Sequence, residues 1–123
     1  LLDRVKRGRG EGTHNAEFNA FLQHQDSLQS KVIPVAWLNA MVAFKNSIQS
    51  MQPVSGEKLW VFQGTEEKTV DAPWNIAQIA EKFPGVRVVR IEGARHHLAN
   101  ETPEYRQRVD DALASFIRTN GAP

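Results

Sequence analysis

The sequence predicts an α/β fold with parallel strands, and three observations in its second half support that prediction. Two mostly apolar runs, at residues 59–63 and 86–91, have the composition of strands buried in a parallel sheet. Between them, residues 71–83 place apolar side chains at helical spacing, and Asp71 and Pro73 suit the start of a helix. A strand, a helix and a second strand joined by short links make a βαβ unit with a right-handed crossover.

Three more helices are predicted from apolar side chains that repeat at helical spacing. The first spans residues 15–25, the second spans residues 34–51, and the last begins at Thr102-Pro103 and ends at Asn120-Gly121. The second has an unusually broad apolar face, which should be buried in a core or line an acyl-chain pocket. The main apolar positions of this second helix are Trp37, Met41, Phe44, Ile48 and Met51.

The organisation along the chain follows from these elements. Residues 1–13 are rich in basic side chains and glycine, which is typical of a flexible terminus or linker. A phosphate- or membrane-contacting arm is the functional alternative for that segment. Residues 14–52 are predicted to be helical, and residues 53–123 carry the strand–helix–strand–helix part.

Composition and charge exclude several classes of protein. With 123 residues the chain forms at most one domain, and its net charge of +1 does not provide the basic face of a nucleic-acid reader. The absence of cysteine excludes disulfides and thiolate metal sites. No apolar run approaches the ~20 residues of a membrane span. Because the chain begins at Leu1, we expect a segment of something longer or a processed product.

The loop at residues 90–101, which follows the second predicted strand, presents the most suggestive chemistry. His96 lies in this loop, and Glu67 lies in the loop after the first strand, so both should meet at the C-terminal edge of the sheet. A carboxylate there can accept the imidazole Nδ1–H and orient a general base. Glu66 and Asp71 are competing acids, although Asp71 is more simply a helix cap and Glu66 a solvated neighbour.

His96 has a structural interpretation beside the catalytic one, and the neighbouring His97 should point elsewhere as a packed or hydrogen-bonded residue. A metal site built from His96, His97, Glu67 and Asp71 would require two adjacent histidines to converge on one ion, and no recognised ligand spacing is present. We therefore expect neither a metal nor a cofactor. Two other histidines have no predicted role: His14 and His24.

Three stretches carry a resemblance to a known family. Residues 59–71 (LWVFQGTEEKTVD), 83–85 (FPG) and 92–101 (EGARHHLANE) resemble the C-terminal part of α/β-hydrolases, nearest to bacterial lysophospholipase and monoacylglycerol lipase-like serine hydrolases. In that group a strand often ends in Gln-Gly, and the triad acid stands three residues later, here at Glu67. The family's Gly-Ala-x-His motif carries the triad histidine, here at His96. The resemblance implies that Glu67 orients His96 as general base.

The resemblance also implies a more specific fold class. The chain would be the C-terminal portion of an α/β-hydrolase fold, incomplete without an N-terminal half. Residues 14–52 would derive from the helical cap, and residues 53–123 would belong to the main sheet and its helices. Two parallel strands do not make a stable sheet alone. We therefore expect the N-terminal half of the hydrolase, or another copy of the chain, to cover the sheet edge.

Two departures from the family pattern affect the predicted site. The family usually has Asp where Glu67 stands, which keeps Asp71 open as an alternative acid, although Glu is an accepted triad acid in this fold. The nucleophile elbow Gly-x-Ser-x-Gly is absent, so the nucleophilic serine is missing from the chain. None of the serines has glycines two residues away on both sides: Ser27, Ser30, Ser47, Ser50, Ser55 and Ser115.

The sequence thus leads to two functional hypotheses. The first is a segment of a serine ester hydrolase that acts on lysophospholipids or monoacylglycerols and is inactive without its nucleophile. It would be a cytoplasmic protein or one peripheral to a membrane. The second is a non-catalytic α/β module that acts through self-association or partner binding, as an unpaired sheet edge and a wide apolar helix face would allow.

Overall fold

A computed structural model describes residues 3–6, 12–56 and 58–120 of the chain. This part is a mixed α/β structure with four α-helices and two small sheets. In chain order the elements are β1 (Arg4–Lys6), α1 (Ala16–His24), β2 (Val32–Pro34), α2 (Val35–Ser50), β3 (Trp60–Gly64), α3 (Ala72–Lys82), β4 (Arg87–Ile91), a 3₁₀ turn (Leu98–Asn100) and α4 (Pro103–Asn120).

The strands β3 and β4 pair in parallel, which confirms the strand–helix–strand prediction. Trp60 lies opposite Arg87, and Gly64 lies opposite Ile91 at the C-terminal end of the pair. Because the two strands run in the same direction in full register, the loops that follow them leave the sheet side by side. The predicted loops of Glu67 and His96 are these two loops.

The helix α3 between the two strands begins and ends as its sequence predicts. The side chain of Asp71 accepts a hydrogen bond from Trp74 N at 3.1 Å, and Pro73 lies in the first helical turn. Phe83 ends the helix, and its backbone N donates to Ile79 O. Asp71 is therefore used as a helix N-cap, which satisfies one of the free backbone donors of the first turn.

The first two strands form a second, antiparallel sheet that the sequence did not predict. Arg4 lies opposite Pro34, and Lys6 lies opposite Val32. Within the segment 1–13 that was expected to be flexible, residues 4–6 form this strand, and residues 1–2 and 7–11 lie outside the described residues. Residues 32–34 lie between the two helices predicted for the region 14–52, and their extended backbone suits the position before and at Pro34.

The helix α2 exposes the broad apolar face that was expected to be buried. Trp37 is 52% exposed, Met41 is 49% exposed and Phe44 is 62% exposed. In the described part of the chain, no helix is long and apolar enough to cross a membrane. This face of α2 is therefore an apolar surface that the described residues leave open to solvent.

Hydrogen bonds connect the loop after β3 directly to the loop after β4. Gly64 is buried, and a side chain there would collide with the carbonyl oxygen of Ala94. Gly93 N donates to Thr65 Oγ1 at 2.8 Å, and Glu66 N donates to Ala94 O at 2.9 Å. Gly93 has a positive φ of 75°, which favours glycine. These contacts fix the spacing between the two loops at the sheet edge.

The small core lies behind this edge. Among the described residues, Ile91 and Ala94 are the apolar residues that are almost completely buried. Helix α4 packs on β4, and Trp60 of β3 meets Phe116 of α4 edge to face, with ring centroids 5.4 Å apart. The histidine loop therefore starts from the most buried part of the molecule.

Candidate functional site

The structure brings Glu67 and His96 into direct contact. Glu67 Oε2 lies 2.7 Å from His96 Nδ1, within the range of a charge-assisted hydrogen bond. Each residue comes from the loop that follows one of the two parallel strands, and the direct joining of those loops holds the pair at the C-terminal edge of the sheet. The placement is the one that open α/β sheets use for ligand and catalytic groups.

The carboxylate of Glu67 is held from several sides. Its side chain is 5% exposed, and its Oε1 accepts hydrogen bonds from the backbone nitrogens of Thr69 and Val70. Burial by itself raises the pKa of Glu67, but the hydrogen bonds from His96, Thr69 and Val70 outweigh it, so the pKa lies below its ordinary value. Glu67 is therefore an ionised carboxylate at neutral pH.

The ionised state of Glu67 determines the tautomer of a neutral His96. An ionised carboxylate only accepts hydrogen bonds, so the proton of the imidazole must lie on Nδ1, and Nε2 then carries the free lone pair. The side chain of His96 is 34% exposed, and its Nε2 has no hydrogen-bond partner among the described residues. This geometry lets Nε2 accept a proton from a group that approaches from solvent or from another part of the protein.

The other two candidate acids lie elsewhere. Asp71 caps α3 by accepting a hydrogen bond from Trp74 N. The described residues show no contact between Asp71 and His96. Glu66 is half exposed, with its Oε2 3.6 Å from His14 Nε2 and 3.9 Å from Arg95 Nε. Of the three acids considered from the sequence, Glu67 is the one that reaches the histidine.

His97 packs its ring edge to face on the ring of His96, with centroids 5.1 Å apart. Its backbone N donates to Gly12 O at 2.8 Å, and its ring packs edge to face against Phe18, with centroids 5.8 Å apart. A side chain at Gly12 would collide with the His97 ring. Across the described residues, no three His, Cys, Asp or Glu side chains are grouped so that they could hold a metal ion.

A second buried carboxylate, which the sequence reasoning did not assign, lies at the end of the histidine loop. Glu101 is completely buried. Its Oε2 accepts from His14 N at 2.9 Å and from Thr102 N at 3.2 Å, and lies 3.0 Å from Thr13 Oγ1. Its Oε1 accepts from Arg95 N at 2.9 Å and lies 3.1 Å from His14 Nδ1. Glu101 thus joins the histidine loop to the segment before α1.

Burial alone would raise the pKa of Glu101, but hydrogen bonds from Arg95, His14 and Thr13 lower it to about 2. Glu101 is therefore ionised over the whole physiological range. Its partners at residues 13 and 14 are far away in the sequence, so no local spacing indicates the contact. The one local signal is an acidic residue just before Thr102-Pro103, where the start of a helix favours negative charge.

The serines of the chain do not complete the site. Ser47 and Ser50 of α2 donate to backbone carbonyl oxygens of their own helix, and Ser30 Oγ donates to Val32 O. Within the described residues, no serine forms a hydrogen bond with His96. The described residues therefore show an oriented histidine and its acid with no serine bound to the histidine.

Comparison with known proteins adds no further assignment: no protein-family model matches this chain, and a search of curated proteins finds no match either.

Proposed function

We propose that this chain is the C-terminal segment of a serine ester hydrolase that acts on lysophospholipids or monoacylglycerols. The observation that carries the proposal is the 2.7 Å contact between Glu67 Oε2 and His96 Nδ1, with Nε2 left open at the C-terminal edge of a parallel strand pair. Two sequence motifs support this choice of family. The strand that ends in Gln-Gly precedes Glu67, and the Gly-Ala-x-His motif contains His96.

In the proposed reaction, His96 Nε2 accepts the proton of a serine hydroxyl while the serine oxygen attacks the ester carbonyl. His96 then donates that proton to the departing alcohol, and an acyl-enzyme remains. A water molecule attacks the acyl-enzyme, with His96 again taking and returning the proton. Glu67 stays ionised, keeps the proton of neutral His96 on Nδ1, and stabilises the imidazolium that forms in each step.

The serine and the oxyanion hole would come from residues outside this chain. The absence of Gly-x-Ser-x-Gly supports this part of the proposal. The exposed face of α2 and the open edge of the two-stranded sheet also support it. An N-terminal half of the hydrolase, or another copy of the chain, would cover both surfaces. The location that goes with this activity is the cytoplasm or the periphery of a membrane.

The test is ester hydrolysis by the full-length protein that contains this chain, with a monoacylglycerol and a lysophospholipid as substrates. Wild type should hydrolyse at least one of them, and His96→Ala should abolish the activity. His24→Ala is the matched control, because His24 is exposed and has no contact with Glu67 or His96. Unchanged hydrolysis in a folded His96→Ala variant would rule out the proposal. The 123-residue chain alone should show no meaningful esterase activity, because it lacks the nucleophile.

A second candidate function is a non-catalytic module that acts through self-association or partner binding. The exposed Trp37, Met41 and Phe44 of α2 favour it, because so wide an apolar surface usually marks a contact site. Sedimentation of the purified chain, combined with the hydrolysis assay of His96→Ala, distinguishes the two candidates. A well-folded homo-oligomer without a second polypeptide, together with hydrolysis that does not need His96, would favour the module.

A further inference from the structure

We propose that Glu101 is a positioning residue, whose buried carboxylate fixes the loop that carries His96 by binding it to the segment Thr13-His14. The inference rests on the proposed function for its catalytic consequence. It concerns a residue that touches neither Glu67 nor His96 among the contacts described above.

Backbone hydrogen bonds hold the histidine loop in place. His96 lies between Arg95, whose backbone N donates to Glu101 Oε1, and His97, whose backbone N donates to Gly12 O. The backbone on both sides of the catalytic candidate is thus bound to groups outside the strand. Glu101 itself closes the loop, because Thr102 N, at the start of α4, donates to its Oε2.

Further hydrogen-bond donors to Glu101 come from the segment before α1. His14 N donates to Glu101 Oε2, and the His14 ring lies 3.1 Å from Oε1 while it stacks on Tyr105 of α4. Thr13 Oγ1 lies 3.0 Å from the carboxylate and 2.9 Å from Asn100 O. Residues before α1 therefore complete the support of a loop that lies more than 80 positions later in the sequence.

The negative charge of the Glu101 carboxylate depends on these donors. Burying an ionised carboxylate is costly unless hydrogen-bond donors match it, and here each oxygen has at least two. The depressed pKa of Glu101 agrees with this full set of partners. In a Glu101→Gln variant, an amide NH₂ would replace one carboxylate oxygen. This NH₂ would face the N–H and O–H groups that donate to Glu101, so the loop would have to move. Small displacements of a general base strongly reduce its rate.

The experiment uses the full-length protein with Glu101→Gln, Thr13→Val and the matched control Glu104→Gln, an exposed carboxylate three residues further on. Two properties are measured: kcat and KM for monoacylglycerol hydrolysis, and the downfield NMR signal of the His96 Nδ1 proton bound to Glu67. A residue that serves stability alone would leave both kcat and this signal unchanged in the folded protein.

We expect Glu101→Gln to lower kcat on the order of 100-fold with KM nearly unchanged, and to shift or broaden the His96 signal. Thr13→Val keeps the charge and removes one donor, so it should act in the same direction with a smaller effect. Glu104→Gln should behave as wild type. A folded Glu101→Gln protein with wild-type kcat and an unchanged signal would overturn the proposal.

Two further outcomes also have a defined interpretation: an unfolded Glu101→Gln variant and a fully active His96→Ala variant. If Glu101→Gln does not fold, Thr13→Val decides: a lower kcat at constant KM supports the positioning role, and an unchanged kcat and signal refute it. If His96→Ala retains full activity, the hydrolase proposal fails, and the NMR signal alone then decides whether Glu101 holds His96 against Glu67. The two failures are therefore distinguishable.

Discussion

Among the described residues, two hydrogen-bonded carboxylate–histidine pairs differ in what lies beyond the imidazole. Glu67 binds His96 at 2.7 Å, and Glu101 binds His14 at 3.1 Å. In both pairs the histidine uses Nδ1, and the carboxylate is almost completely or completely buried. The Nε2 of His96 has no hydrogen-bond partner among the described residues, whereas the Nε2 of His14 lies 3.6 Å from the carboxylate of Glu66.

Because the two pairs differ in this way, an acid–histidine contact does not by itself indicate catalysis. Glu101 collects donors from two distant segments of the chain, and its histidine is one of several groups that it holds in place. Glu67 has fewer partners, and the imidazole that it orients keeps an accessible lone pair at the sheet edge. We therefore propose proton transfer as the role of the pair of His96, and structural support as the role of the pair of His14.

The largest expected effect separates the two histidines directly. In the full-length protein, His96→Ala should lower kcat for ester hydrolysis about 10⁶-fold, because removing the general base removes the activation of the nucleophile. His14→Ala should cause a far smaller fall, since its Nε2 faces a carboxylate and not an open site. Steady-state kinetics of both variants checks this. Equal losses in the two variants would remove the distinction between the pairs.

The next largest effect tests the acid of the first pair. Glu67→Gln should lower kcat about 10⁴-fold, because the amide no longer requires the proton of His96 to lie on Nδ1. Glu67→Asp should retain more activity, since it keeps the charge at the position where related hydrolases usually have Asp. Measuring kcat for both variants tests the assignment. A Glu67→Gln enzyme with nearly wild-type turnover would contradict it.

The third prediction concerns the acid of the second pair and follows from its pKa. The pKa of Glu101 falls from an ordinary value of 4.5 to about 2, so the native state binds fewer protons than the unfolded state between these values. The stability that this carboxylate contributes, about 3 kcal/mol, is present above pH ~4.5 and is lost as the pH falls toward about 2.

Urea unfolding of the full-length protein between pH 7 and pH 2 measures this contribution. Wild type should lose free energy of unfolding more steeply below pH ~4.5 than Glu101→Gln, which has no such carboxylate. Glu67, whose pKa is also lowered, contributes in the same direction in both proteins. Parallel curves for wild type and Glu101→Gln would show that Glu101 is not the buried anion described here.

The last prediction concerns Asp71, the remaining alternative to Glu67 as the acid that orients His96, and its expected effect is the smallest. Asp71→Ala should cost about 1 kcal/mol of stability, because the backbone N of Trp74 loses its cap, and it should leave kcat unchanged. Thermal unfolding and steady-state kinetics of one sample provide both numbers. A fall in kcat like that of Glu67→Gln would make Asp71 the acid of the site.

The parts of the molecule that the sequence predicts are those determined by neighbouring residues. The parallel strands, the cap of α3 at Asp71 and the positions of Glu67 and His96 after their strands follow from local patterns, and the structure has them. Loops after parallel neighbouring strands must lie side by side, so the meeting of Glu67 and His96 could be expected without long-range information.

The parts that the sequence does not predict depend on contacts between distant segments. The strand at residues 4–6 forms only because residues 32–34 pair with it, and a short basic segment has no periodicity that indicates such pairing. The role of Glu101 depends on Thr13 and His14, which approach it only after the chain has folded. Apolar spacing in α2 predicted a face to be buried, but spacing alone does not identify what covers that face.

We propose that His96 and Glu67 serve a serine that lies outside this chain. A fluorophosphonate probe followed by intact-mass and peptide mass spectrometry tests it most directly, with full-length wild type and His96→Ala compared under the same conditions. We expect one adduct, on a serine outside the 123 residues, that forms rapidly in wild type and is nearly lost in His96→Ala. Equal labelling of the two proteins, or an adduct on a serine of this chain, would contradict the claim.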